Sequence, residues 1–255
     1  MVSHRGYAGI RLIRCYTGLN SSHERVLPMS SKLSPELVEK LLAVDSPTIS
    51  NAIEVFKVRP RREGFMGPQI VCRFPDLGRV VGYATTCTIV EYDEEHPPDP
   101  KERFAWVESI ANSPKPALCV VKDTCHRKGW YSHWGEIVGT QVQVLGAVAI
   151  ITDGAVRDLE ALYAMGMKVW SEYVVVSHGH ITVGKANIPV EVGGLVVKPG
   201  DILHADWNGI VSIPAEVLHD LPGAIDQVLA REGETLKHLR EEGYDLEAHR
   251  REIEH

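Results

Sequence analysis

The sequence predicts an α/β protein, a compact α/β/β sandwich that closes on a C-terminal helix. Three observations carry this. Helical and strand-like segments alternate up to Gly166, as crossover connections between parallel strands would require. From Val169 to Ile213 the pattern is strand after strand, cut by Gly193-Gly194, Pro199-Gly200-Asp201 and Asn208-Gly209. Helices and strands alternate too rarely for a (β/α)8 barrel, and no GxGxxG occurs to support a dinucleotide-binding fold.

Two helices open the regular part of the chain. Ser34-Pro35 and Ser46-Pro47 each join an N-cap residue to a proline at the first helical position, predicting helices over about 35–44 and 47–57. Residues 59–68, rich in Pro, Arg and Gly, connect them to the first long strand. That strand is Arg79–Tyr92, rich in Val, Thr and Ile. Asp93–Lys101 holds four acids and three prolines and reads as a solvated loop. Then come a short helix over Phe104–Ala111, a buried strand over Ala117–Val121 and a helix over His133–Leu145. Ala147–Thr152 has the continuous apolar character of a strand covered on both faces. An Asp153-Gly154 turn leads to a helix over Leu159–Met165, ended by Gly166. Residues 215–242 are helical and highly charged, with Pro222-Gly223 as a break, and 243–255 form a solvated tail.

The 255 residues are expected to form one domain over 29–242. Residues 1–28 differ from the rest, with Arg5, Arg11, Arg14 and Arg25 against the single acid Glu24. They read as a disordered N-terminal extension ahead of Met29, or as an organellar transit peptide. A composition 44% hydrophobic and 24% charged is that of a globular chain, and the net charge of −7 argues against a general nucleic-acid or anionic-membrane binder. No apolar run approaches the roughly 18 residues that would span a bilayer. Five cysteines without CxxC spacing read as reduced thiols of a cytoplasmic protein.

Function is concentrated in one stretch, from Trp134-Gly135-Glu136-Ile137-Val138 to Arg157-Asp158. A helix start at Gly135-Glu136 offers unpaired backbone N–H groups to an anion. Arg157 offers a planar fork that matches a carboxylate. Asp158 can hold a hard divalent cation. Two anion receptors and a metal ligand so close together suggest a site for a small oxo-acid. The bland reading of an Arg-Asp pair at a helix start is structural, with the carboxylate at the positive helix end.

Other signals are weaker. Gly179–Gly184-Lys185 has the GxxxxGK core of a phosphate loop, but Ala186 replaces the hydroxyl and strand-like sequence comes next. His178 and His180 alternate along a predicted strand and could share a zinc, yet no third ligand lies at a telling distance. Cys125-His126, flanked by Lys122, Arg127 and Lys128, could mark an activated thiol or an incidental one.

With Gly193-Gly194 and the run Gly200-Asp201-Ile-Leu-His-Ala-Asp206-Trp-Asn-Gly209, the Gly135-Glu136 pair and the Arg157-Asp158 pair, which follows Glu136 by 21 residues, resemble the RraA-like family over about residues 34–240. That family includes the regulator of RNase E activity and the class II 4-hydroxy-4-methyl-2-oxoglutarate aldolases, which also decarboxylate oxaloacetate. The resemblance implies an α/β/β sandwich of the swivelling-domain type, assembled as trimers or hexamers with sites between subunits. It implies that Arg157 binds the substrate carboxylate and Asp158 a divalent metal, magnesium first and manganese or cobalt as alternatives. Glu136 would assist the metal through water, and the backbone N–H groups of Ile137 and Val138 would hold the oxo-acid end. An acid from a neighbouring subunit's C-terminal helix, matching Glu232 or Glu234, would complete the site. Lys122–Trp130 departs from the family by lacking a glycine pair, which leaves the distal half of the pocket open.

The chemistry so implied is that of a carbon–carbon lyase. Retro-aldol cleavage of a 4-hydroxy-2-oxo-acid and decarboxylation of oxaloacetate share the pyruvate enolate, so one site can serve both. Expected partners are a small 2-oxo-acid and further copies of the chain, without nucleic acid or membrane. The alternatives are a protein-binding regulator of a ribonuclease without this chemistry, or an idle oligomeric scaffold. Asp158 favours the enzyme.

Overall fold

The computed structural model describes residues 32–241 and 243–253, so the expectations for residues 1–28 lie outside the described residues. The first helix, α1 (Pro35–Leu42), opens as expected, with the Ser34 hydroxyl accepting from the Leu37 N–H. The second, α2 (Ser46–Glu54), is capped one residue earlier than expected. Asp45 accepts from both the N–H and the hydroxyl of Thr48. Ser46 is instead buried, with its Oγ 2.9 Å from His204 Nδ1 and its N–H donating to Asp206. The other ring nitrogen of His204 lies 3.1 Å from the Leu41 carbonyl, so this small polar network pins the α1–α2 corner to the sheet.

Three crossovers build the sheet, in line with the alternation of the sequence. β2 (Val80–Glu91) leads through α3 (Pro100–Asn112) to the parallel β3 (Ala117–Asp123). β3 leads through β4 (Ser132–Trp134) and α4 (Glu136–Val144) to the parallel β5 (Ala147–Val156). β5 leads through α5 (Leu159–Ala164) to the parallel β6 (Lys168–Val174). Antiparallel strands extend this frame. β1 (Val71–Cys72) pairs with β6, and β7 (Ile181–Ala186) pairs with β2. A hairpin of β10 (Ile202–Asp206) and β11 (Gly209–Ile213) joins the far edge of β2. The resulting order is β1-β6-β5-β3-β2-β10-β11, with β4 paired to β5. A separate hairpin, β8 (Val190–Val192) and β9 (Leu195–Val197), turns at Gly193-Gly194, both at positive φ.

The layers arise from side-chain alternation along β3 and β5. Cys119, Val121, Ile150 and Val156 face α3, α4 and α5, where Trp106, Val142 and Leu162 are buried. Leu118, Val120, Ala149 and Ile151 face the other way, onto Val192, Leu195 and Val197 of the β8–β9 hairpin. Helices, sheet and hairpin thus form the expected α/β/β layering. A third apolar cluster joins α1 and α2 to α6 (Leu221–Glu241), through Leu41, Ile49, Leu221 and Ile225. No helix among the described residues is long and apolar enough to cross a membrane.

Four local expectations are corrected. His133–Leu145 is not one helix, because Ser132–Trp134 pairs with β5 and only Glu136–Val144 is helical. Asp153-Gly154 is not a turn: β5 runs on to Val156, with a register irregularity against β6 between Thr152 and Ala155. The buried Asp153 is held there by Lys122 at 2.6 Å and Lys128 at 3.3 Å. Pro222-Gly223 does not break the C-terminal helix but opens it, where proline's missing N–H costs nothing. The tail is helical over α7 (Leu246–Ile253), with Leu246 and Ile253 exposed.

Candidate active site

Parallel pairing of β4 with β5 brings the two sequence motifs together. Ser132 lies against Ala155 and Trp134 against Val156, and the Arg157 N–H donates to the Trp134 carbonyl at 2.9 Å. Each strand then runs straight into a helix, so α4 and α5 start side by side. Gly135 is the N-cap of α4 and Asp158 that of α5. Asp158 has left-handed backbone geometry (φ 54°, ψ 43°), which aspartate tolerates better than most residues. Its carboxylate does not cap its own helix. Asp158 Oδ2 instead accepts from the Glu136 N–H at 3.1 Å, tying one helix start to the other.

This closeness depends on Gly135 having no side chain. A Cβ there would lie 2.5 Å from Asp158 Oδ2 and 3.1 Å from Arg157 Nε. Arg157 Nη1 is 3.8 Å from Asp158 Oδ1, with side chains 31% and 35% exposed, a loose pair that leaves the guanidinium open to a ligand. The first N–H groups of a helix have no intrahelical acceptor. In α4 that of Glu136 is used by Asp158, which leaves those of Ile137 and Val138.

A cavity of about 240 Å³ opens here, walled by Gly135, Ile137, Val138 and Arg157 together with His133 and Arg103. Glu136 and Asp158 are exposed, and the Asp158 carboxylate stands beside the Gly135 wall, bonded to the Glu136 N–H. No group of three or more His, Cys, Asp and Glu converges among the described residues. A donor set of one accessible carboxylate, with a second nearby, suits a hydrated hard cation such as magnesium and does not suit a zinc cage.

The remaining candidates separate. Glu232 accepts from Asn51 Nδ2 at 3.2 Å on the α2–α6 side, and neither it nor Glu234 walls the cavity of its own chain. His178 borders the cavity, with Nδ1 2.7 Å from the Gly179 carbonyl, while His180 stacks on Tyr92 at 5.4 Å. Both lie in the loop before β7, not on a shared strand face, so the two-histidine zinc reading fails. Cys125 is buried, and burial together with the Asp123 carboxylate pushes its thiol up, opposite to what an activated thiol needs. Lys185 lies on β7 and pairs with Glu102 at 2.7 Å, so no phosphate loop forms.

Two cavity residues escape the sequence pattern. It puts His133 at a helix start rather than on a strand, and Arg103 just outside a helix that in fact begins at Pro100 behind an Asp99 cap. The Asp99-Pro100 pair carries the same cap signal as Ser34-Pro35 and is the clue that locates the second.

Known proteins agree with this architecture. Residues 46–212, more than half of the chain, match the RraA-like (Aldolase/RraA) family. A protein of Halalkalibacterium halodurans named "Putative 4-hydroxy-4-methyl-2-oxoglutarate aldolase" is 30% identical over 81 residues, covering 31% of this chain and 39% of that protein. The chain spans between 30% and 43% of the length of the first three curated relatives it matches. In fold it resembles an uncharacterized Pseudomonas syringae protein (TM-score 0.66, 18% identity, 88% of this chain and 98% of that one). It also resembles a Streptomyces coelicolor protein described as an unusual member of the RNase ES inhibitor RraA protein family (TM-score 0.62, 21% identity, 82% of this chain and 100% of that one). The family match over most of the chain leads to one conclusion: this chain belongs to the RraA-like family.

Proposed function

We propose that the protein is a metal-dependent carbon–carbon lyase acting on small 2-oxo-acids, by retro-aldol cleavage of 4-hydroxy-4-methyl-2-oxoglutarate-like substrates, decarboxylation of oxaloacetate, or both. The observation that carries the reading is the convergence of two helix starts, so that Arg157 and the Ile137-Val138 start of α4 wall one cavity, with the Asp158 carboxylate bonded to the Glu136 N–H beside it. In this reading Arg157 binds the substrate carboxylate bidentately and fixes its orientation. The two α4 N–H groups hold the oxo-acid end. Asp158 would hold magnesium, with Glu136 behind it through water, and magnesium when bound supplies Lewis-acid stabilisation of the charge that develops on the 2-oxo oxygen. In the retro-aldol direction the 4-hydroxyl gives up its proton and becomes a carbonyl as the C3–C4 bond breaks, and the bonding pair stays with the pyruvyl fragment, which takes up a proton at C3 to leave as pyruvate. Glu136 takes the hydroxyl proton through a water, or Glu232 or Glu234 of a neighbouring copy takes it directly.

The site would be completed in a homotrimer or hexamer, where α6 of one copy reaches the cavity of the next. The test is pyruvate release from oxaloacetate and from 4-hydroxy-4-methyl-2-oxoglutarate, with and without magnesium. Magnesium-dependent release from either substrate supports the lyase. Release from neither overturns it in favour of a non-catalytic binding protein.

A further inference from the structure

Three buried ring nitrogens beside the cavity have no hydrogen-bond partner among the described residues: Trp106 Nε1, His133 Nε2 and Trp134 Nε1. Their rings form one edge-to-face cluster. Centroids are 5.4 Å apart for Trp106 and His133, 5.5 Å for His133 and Trp134, and 5.8 Å for the two indoles. Buried polar atoms are rarely left unsatisfied, so three in one place ask for a reason.

The chemistry of the rings selects a tautomer. An indole nitrogen only donates, whereas a neutral imidazole has one donor and one acceptor. A proton on His133 Nε2 would bury three N–H groups together with no acceptor among them. A proton on Nδ1 leaves a lone pair on Nε2, within a cluster whose other two nitrogens are donors. The ring is neutral at pH 7, since burial, with Arg103 close by, pulls its pKa down to about 4. Nε2 is sealed while the residue borders the cavity, so Nδ1–H is the group that can meet a ligand. His133 and Gly135 are two residues apart, about 7 Å along extended backbone, and both border the cavity, so a ligand held at its oxo-acid end by Arg157 and α4 has the ring within reach of its other end. Arg103 borders the same cavity and adds a positive charge.

We infer that His133 donates its Nδ1–H to a substrate oxygen on C4, the carbon beyond the pyruvyl unit, and so sets the cavity's preference for 2-oxo-acids oxygenated at that carbon. The inference rests on the 2-oxo-acid reading of the site. It adds a specificity-determining residue to the binding groups already described.

Two four-carbon probes separate the ends of the ligand. 2-Oxosuccinamate and 2-oxobutanoate share the 2-oxo-acid end, but only the first carries oxygen at C4. Binding of each, with magnesium, is read by isothermal titration calorimetry in wild type, His133→Leu and His133→Asn, with melting curves to verify folding. His133→Leu should weaken 2-oxosuccinamate by about tenfold, the loss of one hydrogen bond, and leave 2-oxobutanoate unchanged. His133→Asn, which keeps an N–H near the Nδ1 position, should restore most of the difference. The KM for oxaloacetate should move in parallel. Equal weakening of both probes, or none, overturns the inference, as does a wild type that binds both equally. Selective binding without pyruvate release from either oxaloacetate or 4-hydroxy-4-methyl-2-oxoglutarate would instead strike the lyase reading and leave the role of His133 standing.

Discussion

Replacing Gly135 with alanine should disable the site and leave the fold in place. The backbone there is extended (φ −151°, ψ −170°), so alanine meets no conformational strain. The conflict lies with the functional side chains. The new Cβ would lie 2.5 Å from Asp158 Oδ2, where ordinary contact begins at 3.4 Å. The carboxylate must therefore retreat by about 1 Å, and a displacement of about 1 Å can cost about 100-fold in rate. The 3.1 Å bond from the Glu136 N–H to Oδ2 would be broken by the same movement. Because Asp158 is exposed, its carboxylate can swing away without disturbing the core. The stability cost is that of glycine to alanine at an N-cap, at most about 1 kcal/mol, or about 2–4 °C in melting temperature for a domain of this size. The assay is enzyme-coupled pyruvate release from oxaloacetate at saturating magnesium, beside a thermal melt. A variant within about twofold of wild type in kcat/KM would refute the reasoning, because the predicted loss is about 100-fold.

The same geometry fixes other outcomes. Arg157→Lys should raise the KM for 2-oxo-acids by at least about tenfold, since a point charge does not replace a bidentate fork; unchanged kinetics would move the carboxylate site elsewhere. His204 is fully buried, and burial lowers its pKa to about 4 from 6.5. The unfolded chain therefore binds its proton at higher pH than the folded chain does. This contribution to stability is complete above about pH 6.5, is lost progressively down to about pH 4, and then levels off. His133 acts with the same sign. A melting profile that is flat over that window, or steeper below it than within it, would contradict this. Sedimentation at micromolar concentration should give a trimer or a multiple of one, and a monomer would remove the idea that a neighbour's Glu232 or Glu234 completes the site.

Legibility in the sequence depended on how local each signal was. The Ser34 cap, the strand over Val80–Glu91, the helix ending at Gly166 and the Gly193-Gly194 hairpin are written in adjacent residues, and all appear in the structure. Asp153-Gly154 misled because its turn chemistry was overridden at a distance. Lys122 from β3 and Lys128 from the loop after it neutralise Asp153 inside a strand, and Gly154 gives Asp123 room at 3.0 Å. The helix start at Gly135 was readable, but a three-residue strand just before it carries too little pattern to detect. That strand is what places Gly135 beside Asp158, so the two motifs were legible singly and their contact was not. The cavity's other wall is harder still. Arg103, His133 and His178 come from three separate segments, and only the sheet order brings them together.

The most direct test is a magnesium titration of pyruvate release from oxaloacetate, comparing wild type with Asp158→Asn. The exchange keeps the shape of the side chain and its acceptor for the Glu136 N–H, and removes the charge that would hold the cation. The account predicts saturable, chelator-sensitive activity in the wild type, and loss of metal-dependent turnover in a variant that melts as the wild type does. Equal activity of the two proteins at limiting magnesium would contradict it.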